Sequence, residues 1–466
     1  MPANTAKPIT ATPITARPLT AYRLGESTDG AVAYDYYING ATGNDANDGL
    51  STSTAWATLS KIGAIALPAG ETKTVFVDSW TYDSADDYVI RNDASSGGAP
   101  GAGSILEITF GSGANMDGTA ANAAAAGTNG FEFGGTNAWT ATVYGNGLTV
   151  DNYIDAGGTT PNGIGNRNSH TLNVYDIDVT GGEDGVSGHD SSTINAYRCT
   201  FADCTKAAFA FVNSSVFYAE NCTFTSKASA TLGIGVMQNT SSGEFVNCDF
   251  VPIVSGDWLD FSNSTFTRCK IGTLTERITG SNSSGVEGVF TDCFLNLYID
   301  GNNEATLTRC FGKFSMRTRS GGNINVSKSV FSAPASGQSS IVFANFDPGS
   351  ASQIQFSDSI IESANAAAFM TVDATNAGYI VSAASEFFNN CLSTVNSIAY
   401  DADLVSADGG GTVIVDTLSD DPEIGAANTT SMADYAYSDT SPCIGSGTSS
   451  SNIGFGSSDV VAVGAA

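Results

Sequence analysis

The sequence predicts an all-β solenoid, a stack of short-stranded rungs with one small helical piece at its start. Three observations predict it: a motif centred on Cys or Ser that returns about every 23 residues, strand-like alternation inside each repeat, and a composition rich in glycine yet well supplied with aromatics. Glycine is 52 of 466 residues and charged residues are 14%, while 25 Phe, 16 Tyr and 4 Trp supply bulk for a packed interior. Disordered chains are usually highly charged and poor in aromatics, so this chain folds.

The motif reads YRCTF, ENCTF, VNCDF, TRCKI, TDCFL and TRCFG, which puts Cys199, Cys222, Cys248, Cys269, Cys293 and Cys310 in one register. Ile177 fills the same slot upstream, and Ser329, Ser359 and Ser385 continue it downstream. Successive spacings are 22, 23, 26, 21, 24, 17, 19, 30 and 26 residues, a fixed unit with turns of varying length. Around each slot the alternation is of period two, as in Val216-Phe217-Tyr218-Ala219, and Gly, Ser or Asn turns follow. No helical stripe of useful length fits between those turns. Each rung therefore stacks on the next at about 4.8 Å, and like residues lie over like residues. A small thiol suits a confined interior.

Taken in chain order, residues 1–35 hold four Pro among Thr and Ala and read as an extended arm, a possible attachment segment. Lacking a continuous apolar run, this start does not read as a secretory signal. Residues 36–70 form a cap: Tyr36-Tyr37-Ile38 is a short strand, an Asn/Asp/Gly loop follows, and Trp56 and Leu59 cover the first rung. A calcium loop built on Asp45, Asn47 and Asp48 is the alternative, although the later Gly and bidentate Glu of the familiar loop are missing. Residues 71–419 are the coil, and 420–466 are closing rungs with an acidic tail. Nine Cys are too sparse and too odd in number for a disulfide framework.

A formal charge of −29 opposes binding to nucleic acid or anionic membrane, and no stretch nears the roughly 20 apolar residues of a bilayer span. The charge is uneven. Eight bases face five acids between residues 268 and 328, whereas fifteen acids and no base follow Lys328.

With these residues in view, 36–456 resembles a right-handed parallel β-helix of the pectate-lyase-like superfamily. YYINGATGNDANDGLSTSTAWATL is similar to the entry segment of such proteins, and DDPEIGAANTTSMADYAYSDTSPCIGSG resembles their closing segment. The superfamily includes polysaccharide lyases, hydrolases, phage tailspikes and structural shafts, so the resemblance implies a fold without choosing an activity.

Catalytic candidates gather near the two histidines. A lyase needs a base and cations that stabilise an enolate, and a hydrolase needs two carboxylates, one of them protonated. Glu183, Asp184 and Asp190 with His189 suit the second; His189 or Lys206 as base and Arg198 as carboxylate clamp suit the first. The hydrolase pattern of the superfamily is met only in part, by Gly188-His189-Asp190 and loosely by Glu183-Asp184, and the pectate-lyase arginine motif is not recognisable. Contacts to glycan or to another subunit are expected from Trp258, whose neighbours Asp257 and Asp260 suggest a rung edge, and from Arg309, Lys313, Arg317 and Arg319. Asn-x-Ser/Thr triplets at Asn213, Asn221, Asn239, Asn263, Asn282 and Asn325 read as turns and strand ends.

Three function classes follow. The first is a virion fibre or spike that meets a surface polysaccharide and assembles, as a homotrimer or with virion proteins, through residues 1–30. The second is a secreted polysaccharide lyase or glycoside hydrolase acting on an acidic glycan, and the third is a surface adhesin without chemistry. Location is expected to be the virion or the extracellular space. No cofactor is required in these readings, and Ca2+ is the one ion considered.

Overall fold

The structure is a computed structural model. It describes residues 33–332 except 93–94, 96, 125–128, 154–161, 229, 231, 255–256, 282–286, 302–303 and 319–322; beyond 332 it describes 341–343, 353–363, 370–372, 386–388, 391–394, 413–415, 431–436 and 459–464. Met1–Ala33 and Tyr34–Ala466 form two units. The arm expected over 1–35 lies outside the described residues up to residue 32. Its last two residues already belong to the coil, since Asp35 and Thr74 exchange backbone and side-chain hydrogen bonds at 2.8 to 3.0 Å.

Every strand pairing in the coil is parallel and joins one rung to the next, as the repeat predicts. One rung serves for the others. Thr193–Tyr197 is followed by a corner at Arg198, the slot Cys199, the strand Thr200–Ala202, a turn, the strand Ala207–Phe211 and a second corner at Asn213-Ser214. Thr193–Tyr197 then lies in register with Val216–Glu220, and Thr200 and Phe201 with Thr223 and Phe224. Alternation sends Phe217, Ala219 and Phe224 inward, fully buried. Rings stack along the axis, as Phe245 on Phe266 at 4.9 Å and Phe266 on Phe290 at 4.8 Å. Phe209 and Phe211 belong to this interior, as expected.

The slot column is continuous in space. Cys199, Cys222, Cys248, Cys269, Cys293, Cys310, Ser329 and Ser359 are all buried, and strand register extends the column upstream through Ile177 to Leu148. Its chemistry goes beyond size. The thiol of Cys222 lies 3.4 Å from the Glu220 carbonyl, and its sulfur accepts the N–H of Cys199 at 3.4 Å. Ser329 does the same with its hydroxyl, donating to the Ser327 carbonyl at 2.9 Å and accepting the Cys310 N–H at 3.0 Å. Cys and Ser thus satisfy backbone groups that the tight corner leaves out of the sheet ladder. Ser385 lies outside the described residues. The pairings Ser357↔Phe388 and Ile360↔Cys391 place the next slot between Phe388 and Cys391, so the expected register at Ser385 is corrected.

The short spacing of 17 residues has a simple cause. Phe294–Gly301 pairs with both Lys270–Ile271 and Ile278–Ser281, so two strands and their turn have fused into one.

At the start of the coil, Trp56 is not helical. It bridges Ile38 between two short 3-10 turns, Thr52–Thr54 and Leu59–Ala64, and stacks on Tyr36 at 5.1 Å. Trp56, Leu59 and Ile62 are buried over the first rung, which is the covering role expected of Trp56 and Leu59. The far end departs from expectation. Met432–Tyr435 lies against the strand Phe311–Thr318, and Gly464 donates its N–H to the Arg268 carbonyl at 2.7 Å. These described parts of 420–466 return to the middle of the coil instead of only finishing its last rungs.

Candidate functional site

The residue before each slot sits in the left-handed region: Asp176, Arg198, Asn221, Asn247, Arg268, Asp292, Arg309, Lys328 and Asp358 have φ between 49° and 57°. A side chain there costs on the order of 1–2 kcal/mol per residue. Hydrogen bonds along the axis offset this, because from Arg198 to Lys328 each of these corner N–H groups reaches a carbonyl of the next rung, as Arg198 to Glu220 at 3.0 Å and Arg309 to Ser327 at 3.1 Å. Side chains pair along the same line. Arg198 grips both oxygens of Asp176 at 2.6 and 2.7 Å, Arg268 donates to Asn247 at 2.8 Å, and Arg309 grips Asp292.

This column relocates several expected site residues. Arg198 and Arg309 are corner residues whose guanidinium groups hold a carboxylate of the preceding rung. Asp190 belongs to the second corner, at φ 57°, where its carboxylate accepts from Asn213 at 2.9 Å and Asn239 continues the line to Asn213 at 3.1 Å. Asn213, Asn221, Asn239 and Asn263 are left-handed corner residues too, and Asn325 lies in a strand, which agrees with the reading of those triplets. Asn282 and Arg319 lie outside the described residues.

Asp184 and His189 occupy the two ends of one strand, Asp184–His189, about 16 Å apart at about 3.3 Å per residue. Asp184 is buried, with one oxygen lacking any hydrogen-bond partner and the other 3.8 Å from the Lys206 ammonium. Burial pushes its carboxyl up to about 7; Lys206 opposes the shift and Glu183 adds to it. Lys206 makes its shorter ion pair with Glu183, at 3.2 Å. His189 is half-buried and its pKa is lowered, first by burial and then by Arg167, the residue in register with it. The structure brings Glu183, Asp184 and Lys206 together; His189 stands at the far end of the strand, still within electrostatic reach of Lys206, and Asp190 and Arg198 are corner residues. The buried His170, whose ring contacts the Gly135 carbonyl at 3.1 Å, packs beside Trp139.

A different surface gathers the aromatic and cationic candidates. Trp258 lies in the strand Asp257–Asp260 beside the inward Leu259, so it faces outward, and it is 49% exposed. Register aligns Trp258 with Thr279 and Thr279 with Tyr298, two rungs along one outer face. The guanidinium of Arg277 sits 4.8 Å above the Tyr298 ring. Lys313 donates to the Leu274 carbonyl at 3.0 Å, one rung beyond its register partner Asn296. Arg317 holds the strand position opposite Asp300; its side chain is outside the described ones.

Ile253 and Val254, in the turn that precedes the Trp258 strand, and Leu274, in the rung after it, are exposed as well. The turn before Trp258 is fixed by the Asp257 carboxylate, which accepts from the N–H groups of Ile253 and Val254 at 3.0 and 3.3 Å and from the Ser226 hydroxyl. Asp260 likewise holds Ser262, through its N–H at 3.0 Å. The acids flanking Trp258 are therefore turn fasteners, and Trp258 itself lies on the outward face of a strand. Arg277 and Tyr298 were missed in the sequence because their approach depends on the fused strand.

At the N-terminal loop, Asp45 accepts from the Ala57 and Thr58 N–H groups and the Thr58 hydroxyl, and Asp48 accepts from the Leu50 N–H. Among the described residues, no group of three or more His, Cys, Asp or Glu is placed to hold a metal ion, and no helix is long and apolar enough to cross a membrane.

A family model described as "Right handed beta helix region" matches residues 103–250. No curated protein matches the chain. From the strand Ile105–Phe110 to Asp249–Val251 the sequence is thus similar to right-handed β-helix proteins, and the fold is an all-β right-handed parallel β-helix like that of the pectate-lyase-like superfamily.

Proposed function

We propose that the chain is a surface-displayed β-helix protein that contacts polysaccharide without cleaving it, as a virion fibre or spike. The observation that carries this reading is the outward face of Trp258, with Tyr298, Arg277 and Lys313 on the next rungs. An exposed indole offers a flat apolar face to a sugar ring, and nearby cations favour carboxylate or sulfate substituents. Ca2+ and assembly through residues 1–30 belong to the same proposal; a display role as a cell-surface adhesin shares its binding face.

A second reading, a secreted lyase or hydrolase acting on an acidic glycan, draws support from Asp184, since a carboxyl that titrates near 7 suits general acid–base work at neutral pH. The test is a glycan array followed by product analysis. Binding that weakens at least tenfold in Trp258→Ala, with every glycan left intact, supports the first reading. Unsaturated or reducing-end products that vanish in Asp184→Asn support the second.

A further inference from the structure

One parallel sheet runs from Tyr36–Ile38 through Thr193–Tyr197 to Val216–Glu220. Register carries a single position along it from rung to rung: Tyr37, Phe76, Thr109, Tyr144, Tyr175 and Tyr197. Alternation with the buried Val143, Val174 and Ala196 sends this column outward, and all six residues are partly exposed. It is aromatic at every rung except Thr109 and runs for about 24 Å at about 4.8 Å per rung. Tyr144 lies on Tyr175 at 5.1 Å and 18°, and Tyr175 on Tyr197 at 4.7 Å and 7°. Carbon atoms in contact are about 3.5–4.0 Å apart, so near-parallel rings at these centroid distances overlap like offset tiles.

Two residues earlier on each strand, the same face carries a polar column, Thr142, Asn173 and Asn195. Asn195 donates an amide N–H to the Asn173 side-chain oxygen at 2.8 Å, and Asn173 donates to the Thr142 hydroxyl at 3.2 Å. An amide has two N–H donors and two lone pairs, so each of these leaves capacity for an outside partner. Tyr218 closes the column, with its ring 5.6 Å from Tyr197 and its hydroxyl donating to Glu220 at 3.1 Å. A continuous aromatic row in solvent marks a binding surface, and aromatic rings beside amides suit a ligand that has both apolar C–H faces and hydroxyls.

Charge narrows the ligand. Glu107, Glu220 and Glu244 stand in the same two columns and no base does, while Arg198 at the adjoining corner is held by Asp176. An anionic chain is therefore repelled. The even spacing favours a straight repeating chain, and an extended β-1,4-linked glycan advances by about one rung spacing per sugar.

We propose that this face binds a neutral β-1,4-linked glycan laid along the coil axis, with sugar rings against the tyrosine column and hydroxyls on the amide column. The site does not rest on Trp258, which belongs to the sheet that continues Ala207–Phe211 and has cations around it.

The test is affinity electrophoresis of the full-length chain in native gels containing hydroxyethylcellulose or glucomannan, which are neutral, or carboxymethylcellulose, which puts anionic groups on the same backbone. At least one neutral polymer is expected to retard the chain, with affinity at least tenfold above that for carboxymethylcellulose. Threonine already stands in the column at 109 and suits a strand, so a Tyr175→Thr, Tyr197→Thr double variant should keep the circular dichroism of the coil and lose at least tenfold in affinity. Tyr175→Phe with Tyr197→Phe keeps the rings and should stay within threefold, and Trp258→Ala should bind as the unaltered chain does. Should the double Thr variant not fold, Tyr197→Thr alone serves, with a loss of at least threefold. No retardation by either neutral polymer, equal affinity for carboxymethylcellulose, a folded Thr variant that binds unchanged, or an equal loss in Trp258→Ala overturns the proposal. So does an oligomer that the Thr variant dissociates in sedimentation, since the stripe is then a contact between copies of the chain.

Discussion

Arg309 grips both carboxylate oxygens of Asp292, one rung earlier, at 2.6 and 2.7 Å, and both residues sit at left-handed corners. The two side chains differ in exposure, 37% for Arg309 against 8% for Asp292. Removing the arginine leaves a mostly buried carboxylate without its partner, which costs about 1–3 kcal/mol. The matching pair Arg198 and Asp176 is exposed on both sides, and an exposed pair contributes roughly 0–1 kcal/mol. Arg309→Ala should therefore lower the denaturation midpoint clearly more than Arg198→Ala. Equal shifts would show that the corner pairs are not distinguished by burial.

The raised pKa of Asp184 sets a direction with pH. Its folded carboxyl holds a proton up to about 7, whereas in the unfolded chain it releases that proton above about 3.8. Between those values the folded state binds more protons, so this residue's contribution is fullest below about pH 4, declines as pH rises through the window, and is lost above about 7. About three units correspond to at most about 4 kcal/mol. Asp184→Asn should remove this slope, measured as denaturation midpoints at pH 5 and pH 8, and should gain stability relative to the unaltered chain at pH 8.

Burial pushes the thiols of Cys199, Cys222 and Cys248 well up. The thiolate is the reactive form, so these groups should resist iodoacetamide at pH 8 while the chain is folded. Labelling mapped by mass spectrometry should appear only on addition of denaturant, at the unfolding midpoint.

The slot column was legible because six of its members are the same uncommon residue, and the alternation around them fixed strand over helix. The corner residue beside the slot was equally regular in position, but its identity changes among Arg, Asn, Asp and Lys. A left-handed position occupied by arginine has no compositional signature, which is why Arg198 and Arg309 resembled site residues. Arg277 and Tyr298 meet only because one rung is shortened to 17 residues.

The central claim is that consecutive rungs lie directly over one another in the stated register. Pyrene attached to Cys introduced at Thr200 and Thr223, register partners on the outer face, in a chain carrying Cys391→Ser and Cys443→Ser, tests it directly, since the seven other native thiols are buried. The stacking predicts strong excimer emission from that pair and none from Thr200 with Lys270, three rungs apart at about 14 Å. Absence of excimer from the adjacent pair, in a chain with intact β circular dichroism, would contradict the register on which the corner column and the Trp258 face both rest.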